Sequence, residues 1–350
     1  MQGSPVTHTA RTPHAHRTHS ARSFSTALPS MPGSSGLGFV STGSPSNATF
    51  RPNRASLSQV KVAPASHDVA RTTVEVPGAT LFRWNATLSL FHATFAVVTY
   101  FVGKTELTVP VFKVVLELDS APGEAASGGA WQLVPSLEKA GKLPFTALVV
   151  AFFVLSSTFH AGNAFVWRGP YEAQLSRCRT PSRWCEYALS APTMMLLIAY
   201  TLGMRDRAGL VAVAVLVGAT MPFGYWGEIM AAPASGSAWR EPLWWRLLPW
   251  VLGHVPQSAA WSLVLLQFYD GISVPSKVPW FVHAILWVEF VLFYSFGAAA
   301  LLSQLGTPDQ FYRGEVLFQV LSFVSKGLLG GLLLANVLML SRFDEIYDAA

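Results

Sequence analysis

The stretch VLFQVLSFVSKGLLGGLLLANVLML, residues 316–340, decides the fold of this chain. It is predominantly apolar and has a single charged side chain, Lys326, near its middle. A helix needs about 20 apolar residues to cross the hydrocarbon core of a bilayer, which is about 30 Å thick. The stretch therefore predicts a membrane-spanning helix whose lysine lies too deep for its amine to reach either surface easily.

Six further apolar stretches of similar length precede it and are separated by polar breaks. They run over Leu81–Gly103, Leu143–Trp167, Arg183–Met204, Ala208–Gly227, Leu243–Tyr269 and Val278–Ser303. Only Arg205, Asp206 and Arg207 separate the third stretch from the fourth, which predicts a tight antiparallel pair. The pattern predicts an all-α membrane protein, a bundle of seven transmembrane helices.

The one long connection between predicted spans, residues 104–142, contains the run ELTVPVFKVVLEL. Apolar and polar residues alternate in this run, which is typical of a β-strand. We predict a short β-hairpin-like outer loop between helices 1 and 2. An amphipathic segment at the membrane interface accounts for the run equally well.

The composition excludes several classes of protein. Charged residues make up 12% of the chain, about half of the roughly 25% typical of soluble domains. Two cysteines are too few for a disulfide framework or a structural zinc site, and we predict no metal centre. The net charge of +5 does not indicate nucleic-acid binding, because the basic residues are scattered between apolar runs. We expect no enzyme, because no phosphate-binding loop or nucleophile elbow stands out.

Residues 1–78 are predicted to be a disordered leader or a transit peptide, and residues 79–345 to be the seven-helix domain. The leader is rich in Ser, Thr, Pro and Arg and has no acidic residue before Asp68. This composition resembles organellar targeting segments, but a disordered tail or an incorrectly assigned start codon explains it as well. We expect no secretory signal, because no early apolar segment is present.

The distribution of charge along the chain predicts its orientation in the membrane. Before the first span, in the even-numbered gaps and at the span ends beside them stand 15 basic and 7 acidic residues, Arg183, Glu228 and Glu315 among them. The other side has 8 basic and 10 acidic residues. Basic residues accumulate on the cytoplasmic side of membrane proteins. The N-terminus is therefore predicted to be cytoplasmic and the C-terminus extracellular or lumenal, in a plasma or an organellar membrane.

Away from the ends of the predicted spans, three charged residues fall inside them: Glu186, Glu289 and Lys326. A charge at a helix centre costs about 2.5–3.5 kcal/mol, so each marks a candidate functional site. A deeply buried lysine pairs with a carboxylate, loses its proton or becomes a covalent imine. Glu186 is the natural partner of Lys326, and an ion pair that only holds helices together remains an alternative. Residues four apart share a helix face, which adds three side chains to this pair: Ser190, Met194 and Ser322.

The strings WCEYALSA, residues 184–191, and LSFVSK, ending at Lys326, resemble the heliorhodopsins. The topology of this retinal-binding family is inverted relative to the other microbial rhodopsins. Four shorter strings in the expected spans also resemble it: LFHA with His92, FH ending at His160, PFGYWGE ending at Glu228 and FYSFG around Phe296. The resemblance extends from Leu81 to about Arg342.

The resemblance implies that Lys326 binds all-trans retinal as a Schiff base and that Glu186 is its single counterion. The hydroxyls implied to hydrogen-bond around this charge pair are those of Ser190 and Ser322. A polar cavity on the cytoplasmic side is implied for His92, His160 and Glu228. The side chains implied to line the retinal pocket are Tyr187, Met194, Phe293 and Phe296. A homodimer in the lipid bilayer and an unknown cytoplasmic signalling partner are implied as well.

Three titratable side chains depart from what we expect of this family. Glu289 and His283 lie in the sixth predicted span, and His254 lies in the fifth. Carboxylates and histidines form proton relays inside membranes, so these three residues are a candidate proton path. A purely structural role explains Glu289 equally well, and a hydrogen-bonded structural role is favoured for each histidine. Gln257 also departs, since it stands where an aromatic pocket residue is usual.

Three functions remain at this point. The leading prediction is a retinal-binding photoreceptor that isomerises a Lys-linked retinal in light, with a slow photocycle and a sensory role without active ion pumping. The absence of pumping is predicted because Glu186 has no second acid near it along the helix. The residues one and two turns later are Ser190 and Met194, neither of which is acidic. The alternative is a light-gated proton channel that uses Glu289 and the intramembrane histidines. The third is a transporter or receptor without photochemistry.

Overall fold

The computed structural model describes residues 73–119, 132–235, 238–272 and 278–338, and these contain seven long helices and one short helix. They are α1 (Gly78–Val102), α2 (Phe145–Ala161), α3 (Arg168–Leu175), α4 (Pro181–Thr201), α5 (Arg207–Met230), α6 (Leu243–Gly271), α7 (Trp280–Leu305) and α8 (Phe311–Leu333). Single π-helical turns extend α2 to Val166 and α8 to Leu338. The leader predicted for residues 1–78 lies almost wholly outside the described residues.

Five of these helices are long and apolar enough to cross a membrane: Gly78–Val102, Phe145–Val166, Arg207–Met230, Trp280–Leu305 and Pro308–Leu338. The other two long helices, α4 and α6, do not reach the hydropathy of these five, because polar side chains interrupt their apolar runs. The chain is thus mostly helical with five candidate spans. That all seven long helices cross the bilayer stays a prediction.

Proline and an aspartate cap set the start of two helices that carry the site. Pro181 occupies the first turn of α4, where a residue without an N–H leaves no donor unpaired. The carboxylate of Asp206 accepts a hydrogen bond from the Gly209 N–H at 2.7 Å and caps α5. α4 therefore begins before the predicted boundary at Arg183, and the short helix α3 was not predicted.

The connection between α1 and α2 is a pair of antiparallel strands, β1 (Thr108–Asp119) and β2 (Gln132–Pro144). The register runs from the pair Thr108 and Pro144 to the pair Asp119 and Gln132, with one irregularity after Val111. The residues that join the two strands lie outside the described part of the chain. The run that alternates in sequence is thus a paired strand in the structure.

The helices alternate in direction between two ends of the bundle, which we call the hairpin end and the Arg183 end. At the hairpin end, the Phe112 N–H donates to the Arg205 carbonyl at 2.9 Å and ties β1 to the α4–α5 connection. At the Arg183 end, where α4 begins, the Val74 N–H donates to the Ser176 carbonyl at 2.8 Å. Two short strands, β3 (Pro233–Ser235) and β4 (Ala238–Trp239), connect α5 to α6 at this same end.

The bundle is apolar outside and carries polar groups inside. Large apolar side chains such as Phe101, Leu266 and Trp280 are more than half exposed on its surface. Lys326 and Glu289, in contrast, are buried in the interior. An apolar surface of this kind is unfavourable in water but not in hydrocarbon. The distribution therefore agrees with a bundle that is surrounded by lipid.

Candidate functional site

The centre of the bundle holds an ion pair between α8 and α4. The Lys326 ammonium donates to a carboxylate oxygen of Glu186, and the two side chains are 3% and 4% exposed. The same Nζ donates to the Ser156 hydroxyl of α2 at 2.6 Å, and it lies 5.3 Å from the centre of the Tyr187 ring. A charge this deeply buried needs such partners, because water cannot solvate it.

Ser156 is a site residue that sequence reasoning missed. It is fully buried and precedes His160 by four residues, so both side chains lie on the inner face of α2. The His160 motif was recognised, and the residue one turn earlier on the same face was the available signal. Serine at that position places a hydroxyl beside the Lys326 amine, from which it accepts a hydrogen bond.

A cavity opens from Lys326 between α4, α5, α6, α7 and α8. All four predicted pocket residues line it: Tyr187, Met194, Phe293 and Phe296. Four further aromatic or polar side chains that sequence reasoning had not placed there line it too: Trp184, Trp250, Thr220 and Phe318. Gly224 leaves room for the Trp184 ring, because a Cβ at this glycine would come within 2.1 Å of it. A mostly apolar cavity that ends at a primary amine beside a carboxylate fits retinal.

The two predicted serines are close to this centre but do not bond to its charges. Ser190 lines the cavity, and its buried hydroxyl has no hydrogen-bond partner among the described residues. Ser322 is buried one turn before Lys326. The hydrogen bond predicted for them is made by Ser156 instead, because α2 approaches the amine more closely than sequence spacing indicates. Their hydrogen bonding around a Schiff base stays a prediction.

His92 and His160 pack against each other beside the ion pair. Their rings are stacked, with centroids 5.6 Å apart and planes inclined by 18°. His160 Nδ1 lies 2.9 Å from the Asn85 side-chain oxygen of α1. Both rings are buried, and neither lines the cavity at Lys326, so the polar cavity predicted for them stays a prediction.

Glu228 makes no direct hydrogen bond to either histidine among the described residues, and the polar cavity predicted for all three stays a prediction. Its carboxylate accepts hydrogen bonds from the Thr180 N–H at 2.6 Å and the Thr180 hydroxyl at 2.8 Å. It also pairs with Arg183, whose guanidinium pairs with Glu315 as well. The C-terminal turn of α5 meets the start of α4 at the Arg183 end, and this position separates Glu228 from the histidines on α1 and α2.

Arg183, Glu228 and Glu315 were counted as loop or boundary charges, yet all three are buried. The count of three charges inside the bundle was therefore too low. The Arg183 guanidinium stacks 3.8 Å from the Phe318 ring centre, and a planar guanidinium can pair with two carboxylates at once. In this cluster the Arg183 guanidinium pairs with both carboxylates, so each carboxylate has a cationic partner. The cluster as a whole carries one net negative charge.

A chain of polar contacts joins this cluster to the histidines. The Tyr171 hydroxyl of α3 donates to Glu315 Oε1 at 2.8 Å and lies 3.5 Å from the Asn85 amide nitrogen. Burial raises the pKa of Tyr171 well above its usual range, and the Glu315 charge raises it further, so the phenol remains a donor. His160, Asn85, Tyr171 and Glu315 thus form a chain of polar contacts that ends at Arg183.

The heliorhodopsin family model matches residues 81–338, which include all of these site residues. The chain belongs to the heliorhodopsin family. It is therefore a rhodopsin, a retinal protein of the membrane, and an interpretation without photochemistry is not supported. No curated protein sequence matches the chain.

Two solved rhodopsin structures share its fold. The proton pumping rhodopsin AR2 from the marine alga Acetabularia acetabulum is 12% identical, with a TM-score of 0.50, and the match covers 75% of this chain and 97% of that one. A thermophilic rhodopsin is 13% identical, with a TM-score of 0.51, and the match covers 75% and 95%. At such low identity the likeness concerns the fold alone.

The three residues of the predicted proton path lie apart in this heliorhodopsin. Glu289 is fully buried on α7, and neither carboxylate oxygen has a hydrogen-bond partner among the described residues. His254 Nδ1 lies 2.7 Å from the Trp250 carbonyl, and His283 packs edge-on against Phe268. No direct hydrogen bond joins the three side chains within the described ranges, and the proton path stays a prediction.

Proposed function

We propose that the chain is a light sensor in which Lys326 holds all-trans retinal as an imine and Glu186 is the counterion. The observation that carries this proposal is the buried pair of Lys326 and Glu186, whose lysine lines a cavity with mostly apolar and aromatic walls. Retinal supplies visible absorption and a light-driven isomerisation when it is bound. The protein supplies the amine, the negative charge that keeps a proton on the nitrogen, and walls that exclude water.

The polar contacts around the pair provide a route by which light could change the protein. A change in the geometry at Lys326 alters the fields on Glu186 and Ser156, which share hydrogen bonds with its nitrogen. His160 lies beside them and connects through Asn85 to the Arg183 end. A rearrangement of these contacts biases the helices between two arrangements, and this bias is the signal. We infer a slow photocycle, because many buried hydrogen bonds must exchange before the protein returns to its arrangement in the dark.

The site supports sensing rather than pumping. Pumping requires groups that accept and release a proton on opposite sides of the imine. In α4 the positions one and two turns after Glu186 hold Ser190 and Met194, neither of which can take up a proton from a carboxylate in this way. A homodimer and a cytoplasmic signalling partner belong to the same proposal, as do seven spans with a cytoplasmic N-terminus.

Spectroscopy with added retinal tests the proposal. We expect all-trans retinal to give a visible band in the wild type and no covalent pigment in Lys326→Ala, with slow recovery after a flash and no stationary photocurrent under voltage clamp. A matched control is Lys142→Ala, which removes a lysine of β2 far from the cavity. Sustained current against a gradient would overturn the sensory function, and a pigment in Lys326→Ala would overturn the attachment site.

A second function, a light-gated proton channel, is favoured by one observation. Glu289 is a carboxyl group that is fully buried without a polar partner among the described residues, which is costly unless the group has a role. If the chain conducts protons, the photocurrent reverses at the proton equilibrium potential and is lost in Glu289→Gln. Glu241→Gln, at the Arg183 end, is the control. Absence of any photocurrent in the wild type excludes this function.

A further inference from the structure

One histidine of the cavity wall is held in a fixed orientation. His254 Nδ1 lies 2.7 Å from the carbonyl oxygen of Trp250, one turn earlier on α6. A carbonyl only accepts hydrogen bonds, so Nδ1 carries a hydrogen. The Trp250 indole N–H in turn donates to the Gly297 carbonyl of α7 at 2.8 Å. These two bonds fix the imidazole and leave Nε2 as the nitrogen that can gain or lose a proton.

A glycine on the neighbouring helix makes the space for this ring. A Cβ at Gly297 would come within 2.6 Å of His254 Nε2 and 3.0 Å of Cε1. Neither contact is tolerable, so the ring could not keep its position beside any larger residue. The absence of a side chain at Gly297 therefore directs the titratable edge of His254 into the notch between α6 and α7, at the wall of the cavity.

His254 and Lys326 line the cavity from two different helices, α6 and α8. Lys326 belongs to α8, which packs against α7 and α1, whereas α6 packs against α5 and α7. The cavity bridges these two sides, with Lys326 at one and His254 at the other. A ligand attached to the amine that fills the cavity extends toward α6.

We propose that His254 sets the colour of the pigment by carrying or not carrying a positive charge at this wall; the proposal rests on retinal attachment at Lys326. Light moves positive charge in a protonated imine away from the nitrogen and along the conjugated chain. A cation at the far wall opposes this movement and raises the energy of the excited state, since charges interact strongly in a medium of low dielectric constant. Protonated His254 therefore shifts the band to shorter wavelength.

The other titratable groups around the cavity do not produce this response. Tyr187 on α4 and Lys326 on α8 line it, and α5 contributes Thr220, Met221 and Gly224, which do not titrate. On α7, Tyr294 packs beside the His254 ring, and Glu289 is buried two turns before Gly297; the variants of His254 described below distinguish the histidine from this carboxyl. The Tyr294 hydroxyl lies 2.9 Å from Ser258. Among the side chains of these types, only histidine changes its charge between about pH 5 and pH 8.

Loss of the negative charge on the counterion would shift the absorption band in the opposite direction. Protonation of Glu186 removes a negative charge beside the nitrogen, which stabilises the excited state relative to the ground state and moves the band to longer wavelength. The direction of the shift therefore distinguishes the two groups. A shift to shorter wavelength on acidification points to His254, and a shift to longer wavelength points to Glu186.

The experiment is an absorption titration of the pigment from about pH 8 to pH 5, the window in which histidine titrates. We expect a reversible shift to shorter wavelength in the wild type and its loss in His254→Gln and His254→Phe. His283→Gln is the matched control, because this histidine packs against Phe268 outside the cavity, and it should keep the shift.

A second pair of variants leaves the histidine in place. Gly297→Ala displaces the ring and should reduce the shift, whereas Gly331→Ala, a helical glycine with no atom within 4 Å of its added Cβ, should keep it. The proposal is overturned if the wild type shows no shift to shorter wavelength, or if this shift persists in both His254 variants. Failure of the wild type to form any pigment with retinal refutes the attachment at Lys326 instead.

Discussion

Replacing Glu186 by glutamine tests the centre of the site most directly. Among the described residues, this carboxylate is the one that pairs with Lys326, and both side chains are almost fully buried. Glutamine keeps the size and a hydrogen-bonding oxygen but removes the negative charge. The nitrogen then has to hold its proton without a counterion, supported by Ser156 alone.

The size of the effect follows from the burial of the pair. Removing one partner of a buried ion pair costs about 3–5 kcal/mol. At about 1.36 kcal/mol per pH unit, the pH at which the pigment loses its imine proton falls by about 2–4 units. Loss of a hydrogen bond to a charged group costs about 1.5–3 kcal/mol, so Ser156→Ala lowers the same transition by about 1–2 units.

The assay is an alkaline titration in which the visible band converts to an ultraviolet band as the proton leaves. Ser157→Ala is the control, because this neighbouring hydroxyl donates to the Ser89 carbonyl at 2.9 Å and does not bond to Lys326. We expect the transition to be lowest in Glu186→Gln, intermediate in Ser156→Ala and unchanged in Ser157→Ala. An unchanged transition in Glu186→Gln would refute the assignment of the counterion.

Three further predictions concern the Arg183 end. Arg183→Gln leaves Glu228 and Glu315 buried without a cation and should destabilise the fold by about 3–5 kcal/mol, measured as a lower Tm, with Arg177→Gln at the exposed surface as control. Tyr171→Phe should lower the stability by about 1 kcal/mol below about pH 10, and this difference should shrink at higher pH, because a raised pKa stabilises the fold only while the phenol is protonated. Burial raises the pKa of the Cys178 thiol to about 12, so a maleimide should label it only after unfolding, as mass spectrometry would detect; rapid labelling of the native protein would contradict its burial.

The sequence determined the helices and the pair at the centre for a clear physical reason. Apolar length alone predicts where helices lie, because a membrane requires about 20 such residues per span. Lys326 and Glu186 stood out because a charge inside an apolar run is costly and needs an opposite partner. Both features can be read from single segments of the sequence, and they do not depend on how the helices pack against one another.

The contacts of Glu228 show which information a local stretch of sequence does not contain. Its string was recognised, but the contact with Arg183 and Thr180 depends on how the end of α5 meets the start of α4. Arg183 itself looked like a loop charge, because the first turn of α4 and the loop before it have the same polar composition. Depth in the bundle distinguishes a buried cluster from a charged surface, and depth cannot be read from a single helix.

Within this chain, the sequence by itself determined the apolar spans and the deep lysine with its carboxylate. Only the tertiary structure decided that Ser156 hydrogen-bonds to the lysine and that Asn85 and Tyr171 connect His160 to the Arg183 cluster. It also decided that Gly297 makes room for the His254 ring at the cavity wall. The reason is that these contacts join side chains far apart in the chain. Periodicity gives the face on which a side chain lies, whereas the rotation and offset of neighbouring helices decide what that face meets.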